Sequence, residues 1–285
     1  MDVRTVSVVG AGTIGSGLAV DLAMHGYSVI LNDRSEETLE RAKEAMRSDL
    51  RSYRMLVPEY REVDEEDILG NIVFASDLTA AAEADFVIEN IVENYDEKAR
   101  LYDRLSGICG QETWYGVNTS CISITRLSSH LPDPSKMIGM HFMNPVPVRK
   151  FVEMVRAECT SEETIESATA LVKRLGKEHV LVNDFPGFVS NRVMMLAINE
   201  CAFVIQDDVA DPADVDKVFR LAFGHSMGML ATADLIGLDT VLNSIIVLFE
   251  EYKDSKYRPC PLLQKMVDAG YLGRKSGKGF FTYSK

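Results

Sequence analysis

Cysteine is scarce and unpatterned in this chain. The five cysteines, at positions 109, 121, 159, 201 and 260, are odd in number, widely spaced and free of any Cys-x-x-Cys pair. Such spacing supports neither a disulfide framework nor a zinc knuckle. The five histidines, at 25, 130, 141, 179 and 225, include no His-x-x-x-His, so no metal site is expected. No apolar run approaches the roughly 18 residues that a membrane-spanning helix requires, and no charged-then-apolar leader precedes the first apolar segment. The expectation is a cytoplasmic protein with no membrane partner. Positive charge is also short: 30 Lys and Arg stand against 43 Asp and Glu, a formal net charge of -13. That balance repels a nucleic-acid backbone, and no basic stretch offsets it. Internal repeats and low-complexity segments are absent too.

What the chain does have is a core and a glycine turn. Its 285 residues, 46% of them hydrophobic, suffice for one or two domains with a sizeable interior. Val3-Arg-Thr-Val-Ser-Val-Val9 reads as a strand. It runs into Gly10-Ala-Gly12-Thr-Ile-Gly15 and then a helical stretch from Ser16 to His25. Strand, glycine turn and helix N-terminus in that order cradle a pyrophosphate. Gly10 permits the tight turn, Gly12 lets the backbone approach the phosphates, and Gly15 lets helix and strand pack closely. Six residues alone also fit a glycine-rich turn in any doubly wound protein. The next strand, Ser28–Asn32, ends in Asp33, whose carboxylate can accept bonds from the adenine ribose hydroxyls and repel a 2′-phosphate. NAD is thus preferred to NADP, a preference that neighbouring Arg34 weakens slightly.

Alternation of strands and helices continues to about residue 184. Strands are expected at Ile72–Ala75, Phe86–Glu89, Trp114–Asn118, Met137–His141, Phe151–Val155 and His179–Val182. Helical stretches are expected near Glu36–Leu56, Val63–Leu69, Tyr95–Gly107 and Glu162–Leu175. This pattern predicts a mostly parallel, doubly wound sheet covered on both faces. Beyond Asp184-Phe-Pro186-Gly187 every long segment reads as helix, over 188–207, 212–223, 229–252 and 260–269. The reading is an α/β chain. Residues 1–184 form a Rossmann-type nucleotide domain with a helical flap at about 36–69, and residues 185–285 form an all-α substrate and dimerisation domain. An apolar helical half too small to bury its own faces points to a symmetric homodimer.

Four polar clusters interrupt apolar surroundings. Asn118-Thr119-Ser120 follows a strand, at the carboxyl edge where open sheets bind ligands; it is equally readable as a polar turn cap. His141, in His-Phe-Met-Asn144-Pro145, can act as a general base or simply be a hydrogen-bonded core histidine. Glu153, inside Phe-Val-Glu-Met-Val, is costly in an apolar strand unless paired. It belongs either to an exposed edge or beside a buried histidine whose tautomer it fixes. Asn191, in Pro186-Gly-Phe-Val-Ser-Asn-Arg192, is a helix-start residue or a group reaching toward the substrate.

Together these segments resemble the short-chain L-3-hydroxyacyl-CoA dehydrogenases of the bacterial 3-hydroxybutyryl-CoA dehydrogenase type. The resemblance runs from Val6 to Tyr283. It rests on GAGTIG, IVEN at 91–94, NTS at 118–120, HFMNP at 141–145, FVEMV at 151–155, PGFVSNR at 186–192, GLD at 237–239 and the long segment 257–281. It implies a catalytic dyad of His141 and Glu153, with Ser120 and Asn191 near the substrate oxygen. It also implies cofactor contacts from Gly10, Gly12, Gly15, Asp33, Glu93, Lys98 and Asn144, with NAD as the cofactor. His141 then removes the proton of the 3-hydroxyl while hydride passes to the nicotinamide.

The chain departs from that family in its flap. Residues 36–69 hold one lysine, Lys43, five arginines and eleven acids, where the family usually presents many lysines to the CoA phosphates. Ser226-Met-Gly-Met229 replaces the usual Pro-Met-Gly-Pro, and Ala231 stands where an acid is usual. These departures, with NTSC at 118–121, are similar to glyceryl dehydrogenases acting on an acyl carrier protein in polyketide extender-unit pathways. Arg47, Arg51 and Arg54 would then meet the acidic carrier. The alternative is a CoA-linked 3-hydroxybutyryl-CoA dehydrogenase of fatty-acid or butanoate metabolism. A crystallin-like structural role is disfavoured because His141, Glu153, Ser120 and Asn191 are all present. The lysine-using 3-hydroxyacid dehydrogenases are disfavoured by HFMNP and PGFVSNR.

Overall fold

The computed structural model describes residues Val3–Tyr283. Among them the chain divides into two compact units, one ending at Asp184 and one beginning at Phe185. In the first unit the elements run β1 (Thr5–Val9), α1 (Thr13–Met24), β2 (Ser28–Asn32), α2 (Glu36–Leu56), α3 (Glu65–Gly70), β3 (Ile72–Ala75) and β4 (Phe86–Glu89). They continue with α4 (Tyr95–Ser106), β5 (Trp114–Val117), α5 (Ile124–Ser128), β6 (Met137–Phe142), β7 (Phe151–Arg156), α6 (Glu162–Arg174) and β8 (Glu178–Asn183).

The strands form one eight-stranded sheet in the order β3-β2-β1-β4-β5-β6-β7-β8. Val6, Val8, Phe86, Val87, Ile88, Ile138 and Met140 are fully buried, as expected of central strands covered on both faces. Every neighbouring pair is parallel except β6 and β7. Parallel neighbours need a crossover long enough for a helix, and only residues 143–150 separate β6 from β7, so the chain doubles back. That reversal sets His141 opposite Glu153.

Helix α2 forms for reasons local to its sequence. Ser35 caps its N-terminus by accepting the Thr38 amide, Glu36 and Glu37 occupy the first turn, and Leu39, Ala42, Met46, Leu50 and Tyr53 bury one stripe. A 3-10 turn at Pro58–Tyr60 follows, and α3 completes the helical arm. The expected helix over Val63–Leu69 starts later, at Glu65, because the Asp64 side chain caps it by accepting the Glu66 amide. The short helix α5 has no counterpart among the sequence expectations; Ser123 caps it.

The second unit holds α7 (Ser190–Gln206), α8 (Pro212–Ala222), α9 (Met229–Ile236), α10 (Leu238–Tyr252) and α11 (Pro261–Asp268) around a core of Met195, Ile198, Leu230, Val241, Leu248 and Leu263. The sequence reads 229–252 as one helix. The structure breaks it at Gly237, whose φ of +103° lies outside the right-handed helical region, and α9 and α10 meet at 98°. Among the described residues no single helix is long and apolar enough to cross a membrane. Asp234, buried in α9, gathers the chain's end by accepting the amides of Phe280 and Phe281 and the Tyr283 hydroxyl.

Candidate active site

The turn after β1 has the form that a dinucleotide requires. Gly10 has φ +104°, and a side chain there would strike the Asn90 carbonyl at 2.6 Å. A Cβ on Gly15 would stand 1.8 Å from the Gly10 carbonyl oxygen, so helix α1 starts in contact with the turn it follows. Gly12 differs: beyond its chain neighbours nothing lies within 4 Å of the position its Cβ would take. It is the N-cap of α1, it supplies no side-chain cap, and the first turn of that helix carries no acid. Helices α2, α4 and α6 are each capped by a side chain, from Ser35, Asn94 and Ser161. The N-terminus of α1 is therefore left for an anion, with its dipole aimed outward. Asp33 follows β2, where its Oδ2 accepts the Ala11 amide at 3.0 Å and its Oδ1 the Ser35 amide at 3.1 Å. The carboxylate is locked beside the glycine turn. These residues fit an NAD whose ribose is read by a carboxylate.

At the other end of the strand row, β6 and β7 place the imidazole. His141 and Glu153 are register partners with side chains on one face of the sheet. His141 Nδ1 lies 3.0 Å from Glu153 Oε2, and both residues are buried, at 8% and 2% exposure. The other ring nitrogen, Nε2, lies 3.1 Å from the Ser120 hydroxyl. With Nδ1–H donating to the carboxylate, Nε2 keeps a lone pair directed to the hydroxyl. A histidine oriented by a buried acid and facing a hydroxyl oxygen is the arrangement of a general acid–base pair. Glu153 is accordingly a buried partner of the histidine rather than a residue of an exposed edge.

Ser120 is held in place by Glu93. A single oxygen, Oε1, accepts from the Thr119 hydroxyl at 2.6 Å, the Ser120 amide at 2.9 Å and the Cys121 amide at 3.2 Å. Its other oxygen is 3.8 Å from the Lys98 ammonium. Lys98 stands differently from the cofactor contact that the family resemblance implies. Its side chain and that of Glu89 are both 0% exposed, and its Nζ donates to the two Glu89 oxygens at 2.6 and 2.8 Å and to the Asn118 carbonyl at 3.1 Å. Burial pushes the Glu89 carboxyl up, and the Lys98 ammonium pulls against it. As the side chain lies, it offers no surface to a ligand; it acts on the site through Glu89, Glu93 and Asn118.

Sequence reasoning did not single out Glu89 or Asn90, although a carboxylate ending the apolar run Phe86-Val-Ile-Glu89 is a signal of a paired buried charge. Asn118 links the two halves of the arrangement: its Nδ2 donates to Asn90 Oδ1 at 2.9 Å, and its Oδ1 accepts the Phe142 amide at 3.1 Å, next to His141. Asn144 is exposed, in the turn just past β6.

In the second unit Asn191 occupies the first turn of α7. The preceding Gly187 has φ +77°, and a Cβ there would meet Leu248 at 2.6 Å. The Tyr252 hydroxyl donates to the Pro186 carbonyl at 3.1 Å, and the Arg192 guanidinium stacks 4.7 Å from the Tyr252 ring centre. The turn that presents Asn191 is thus fixed by α10.

Two arginines of the arm are engaged within it. Arg47 Nη1 lies 2.7 Å from both Glu65 and Glu66, and Arg54 donates to the Val63 carbonyl at 3.0 Å. Two of the three arginines expected to meet a carrier protein are neutralised or bonded at home.

Comparison with known proteins agrees over the full length. The model of the 3-hydroxyacyl-CoA dehydrogenase NAD binding domain matches residues 5–185, and that of the 3-hydroxyacyl-CoA dehydrogenase C-terminal domain matches 187–283. A Bacillus subtilis protein named "Probable 3-hydroxybutyryl-CoA dehydrogenase" is 43% identical, over 100% of this chain and 99% of its own. The 3-hydroxybutyryl-CoA dehydrogenase of Bradyrhizobium diazoefficiens is 39% identical over 99% of this chain and 96% of its own. Among solved structures, the (S)-3-hydroxybutyryl-CoA dehydrogenase PaaH1 of Ralstonia eutropha superposes with a TM-score of 0.92 at 40% identity, covering 100% of both chains. The relatives' names refer to CoA thioesters, and none of these three to a carrier protein.

Proposed function

The chain belongs to the 3-hydroxyacyl-CoA dehydrogenase family, NAD-dependent oxidoreductases acting on CH–OH, and from that premise we propose that its substrate is a short (S)-3-hydroxyacyl-CoA, 3-hydroxybutyryl-CoA in the first place. The observation that carries the proposal is the buried His141–Glu153 pair with Ser120 at the other ring nitrogen. In the oxidising direction His141 Nε2 accepts the proton of the 3-hydroxyl. Glu153 keeps Nδ1 protonated and stabilises the imidazolium that results. Ser120 and Asn191 hold the substrate oxygen as its charge changes. NAD, when bound, supplies the hydride acceptor. The glycine turn and α1 take its pyrophosphate, Asp33 its adenine ribose, and Glu93 and Asn144 the nicotinamide half. In the reducing direction His141 donates the proton.

The CoA form is preferred to glyceryl on an acyl carrier protein, reversing the leaning of the sequence. The relatives named above support it, as does the pairing of Arg47 with Glu65 and Glu66, which neutralises one of the three rim charges that reading needs. The helical unit is also where we place self-association: Val193, Val209, Leu221 and Phe223 are more than half exposed, and a second copy of the chain is the occupant that would cover them. The deciding experiment offers the protein NAD with 3-hydroxybutyryl-CoA and, separately, with glyceryl on an acyl carrier protein, and follows NADH absorbance. Turnover of the CoA ester alone, or much the faster, supports the proposal. Turnover confined to the carrier-bound glyceryl group overturns it.

A further inference from the structure

Lys177 lies just before β8 and is 4% exposed. Its ammonium makes an ion pair with Asp21 Oδ2 at 2.9 Å and donates to the Val146 carbonyl at 2.6 Å and the Arg149 carbonyl at 2.9 Å. Two N–H donors of the ammonium are thereby given to carbonyls, and Asp21 supplies the buried counter-charge. Asp21 belongs to α1, is 1% exposed, and accepts the Tyr60 hydroxyl on its other oxygen at 2.9 Å. Burial pushes the Lys177 ammonium toward deprotonation, and the Asp21 carboxylate opposes this.

The two carbonyls belong to the turn that follows β6 and His141-Phe-Met-Asn144. That turn is closed by the Val148 and Arg149 amides, both donating to the Pro145 carbonyl. It packs directly on α1: a Cβ on Gly17 would lie 3.5 Å from Pro147 and 3.6 Å from Val146. Simple packing would be met by an apolar side chain, since a buried charge is costly unless fully paired. A lysine adds two directed bonds to the carbonyls of the turn and an ion pair to α1, tying the two together.

We propose that Lys177 is a positioning residue for the nicotinamide half of the cofactor, fixing the Pro145–Arg149 turn, and with it Asn144, on the helix whose N-terminus takes the pyrophosphate. The proposal rests on the functional reading above, in which Asn144 serves the nicotinamide. Asp21 is the anchor on α1, and Tyr60 couples the same anchor to the helical arm.

The test separates the two halves of the cofactor with ADP-ribose, which has the adenine and pyrophosphate but no nicotinamide. Lys177→Met is combined with Asp21→Asn so that no unpaired charge is left buried. The double variant is expected to melt close to the parent and bind ADP-ribose with unchanged Kd. It should bind NADH about ten-fold more weakly and show kcat lowered by about ten- to a hundred-fold, the size of effect that a small misplacement produces. KM for 3-hydroxybutyryl-CoA should change little. Parental NADH affinity and kcat in the double variant would overturn the proposal, since Lys177 would then only balance Asp21. So would ADP-ribose and NADH weakening in step, which places the lesion in the nucleotide cradle. Should the double variant not fold, Lys177→Arg is measured in the same way. It keeps a charge beside Asp21, but its planar guanidinium cannot converge on both carbonyls and the carboxylate as the compact ammonium does. The same NADH-selective loss is expected, and parental behaviour overturns the proposal. Failure of the unmutated protein to bind NADH or ADP-ribose instead overturns the functional reading itself.

Discussion

His141 and Glu153 are opposite residues of the antiparallel β6–β7 pairing, with Nδ1 and Oε2 3.0 Å apart. The dyad is a product of the register that the β6–β7 reversal sets. His141→Ala is expected to leave NADH binding intact and lower kcat by about 10²–10⁴-fold, the usual contribution of a general acid or base. Glu153→Gln should lower kcat less. Near-parental turnover by His141→Ala, measured from NADH formation, excludes the residue as the base.

Glu93 governs Ser120 without being part of the dyad. One carboxylate oxygen collects three donors from the Thr119–Cys121 turn. Bonds to a charged acceptor are worth about 1.5–3 kcal/mol each. Glu93→Ala is therefore expected to lower kcat by about ten- to a hundred-fold through loss of the Ser120 position. Glu93→Gln keeps a carbonyl acceptor and should recover part of that loss. Equal damage from both variants in steady-state assays would show that charge, not the acceptor position, is what Glu93 supplies.

The order of strands and helices and the glycine turn were legible because each rests on a short local pattern. His141 and Glu153 were visible as residues, but their apposition depends on the direction of β7, which apolar alternation does not encode. The break at Gly237 was missed because the apolar stripe runs through it on both sides. Only the backbone angle, imposed by packing, separates α9 from α10. Arg47 looks like a rim charge in the sequence; its partners Glu65 and Glu66 lie 18 and 19 positions away and meet it only when α3 folds against α2. Lys98 illustrates the same limit, since its pairing with Glu89 places it inside the unit rather than on a ligand surface.

Asp33 sets cofactor choice. Its two oxygens are oriented by the Ala11 and Ser35 amides, so the carboxylate has a fixed place beside the glycine turn. Asp33→Ala should raise KM for NAD by about ten-fold, the loss expected when a charged hydrogen-bond partner is removed. NADP should suffer less, or gain, because a repulsion disappears with the contact. Titrating both cofactors against a fixed acyl thioester checks this; comparable use of NADP by the unmutated protein counts against the assignment.

Gly12 and Gly15 are three residues apart and answer to different demands. A methyl on Gly15 would meet the Gly10 carbonyl at 1.8 Å, so backbone must move. Gly15→Ala should therefore destabilise the fold itself, by about 1–3 kcal/mol or more as overpacked sites do. Its melting temperature should fall with or without NADH present. A methyl on Gly12 meets nothing within 4 Å beyond its chain neighbours, and Gly12 φ and ψ of -72° and -174° suit any residue. Gly12→Ala should fold and melt like the parent. The methyl would nevertheless stand where the pyrophosphate has to approach the backbone, so KM for NAD should rise while the KM for the acyl thioester holds. Thermal melts of both apo variants, followed by NADH titration, distinguish the two roles. A Gly12→Ala protein with parental NADH affinity would remove the pyrophosphate from this turn.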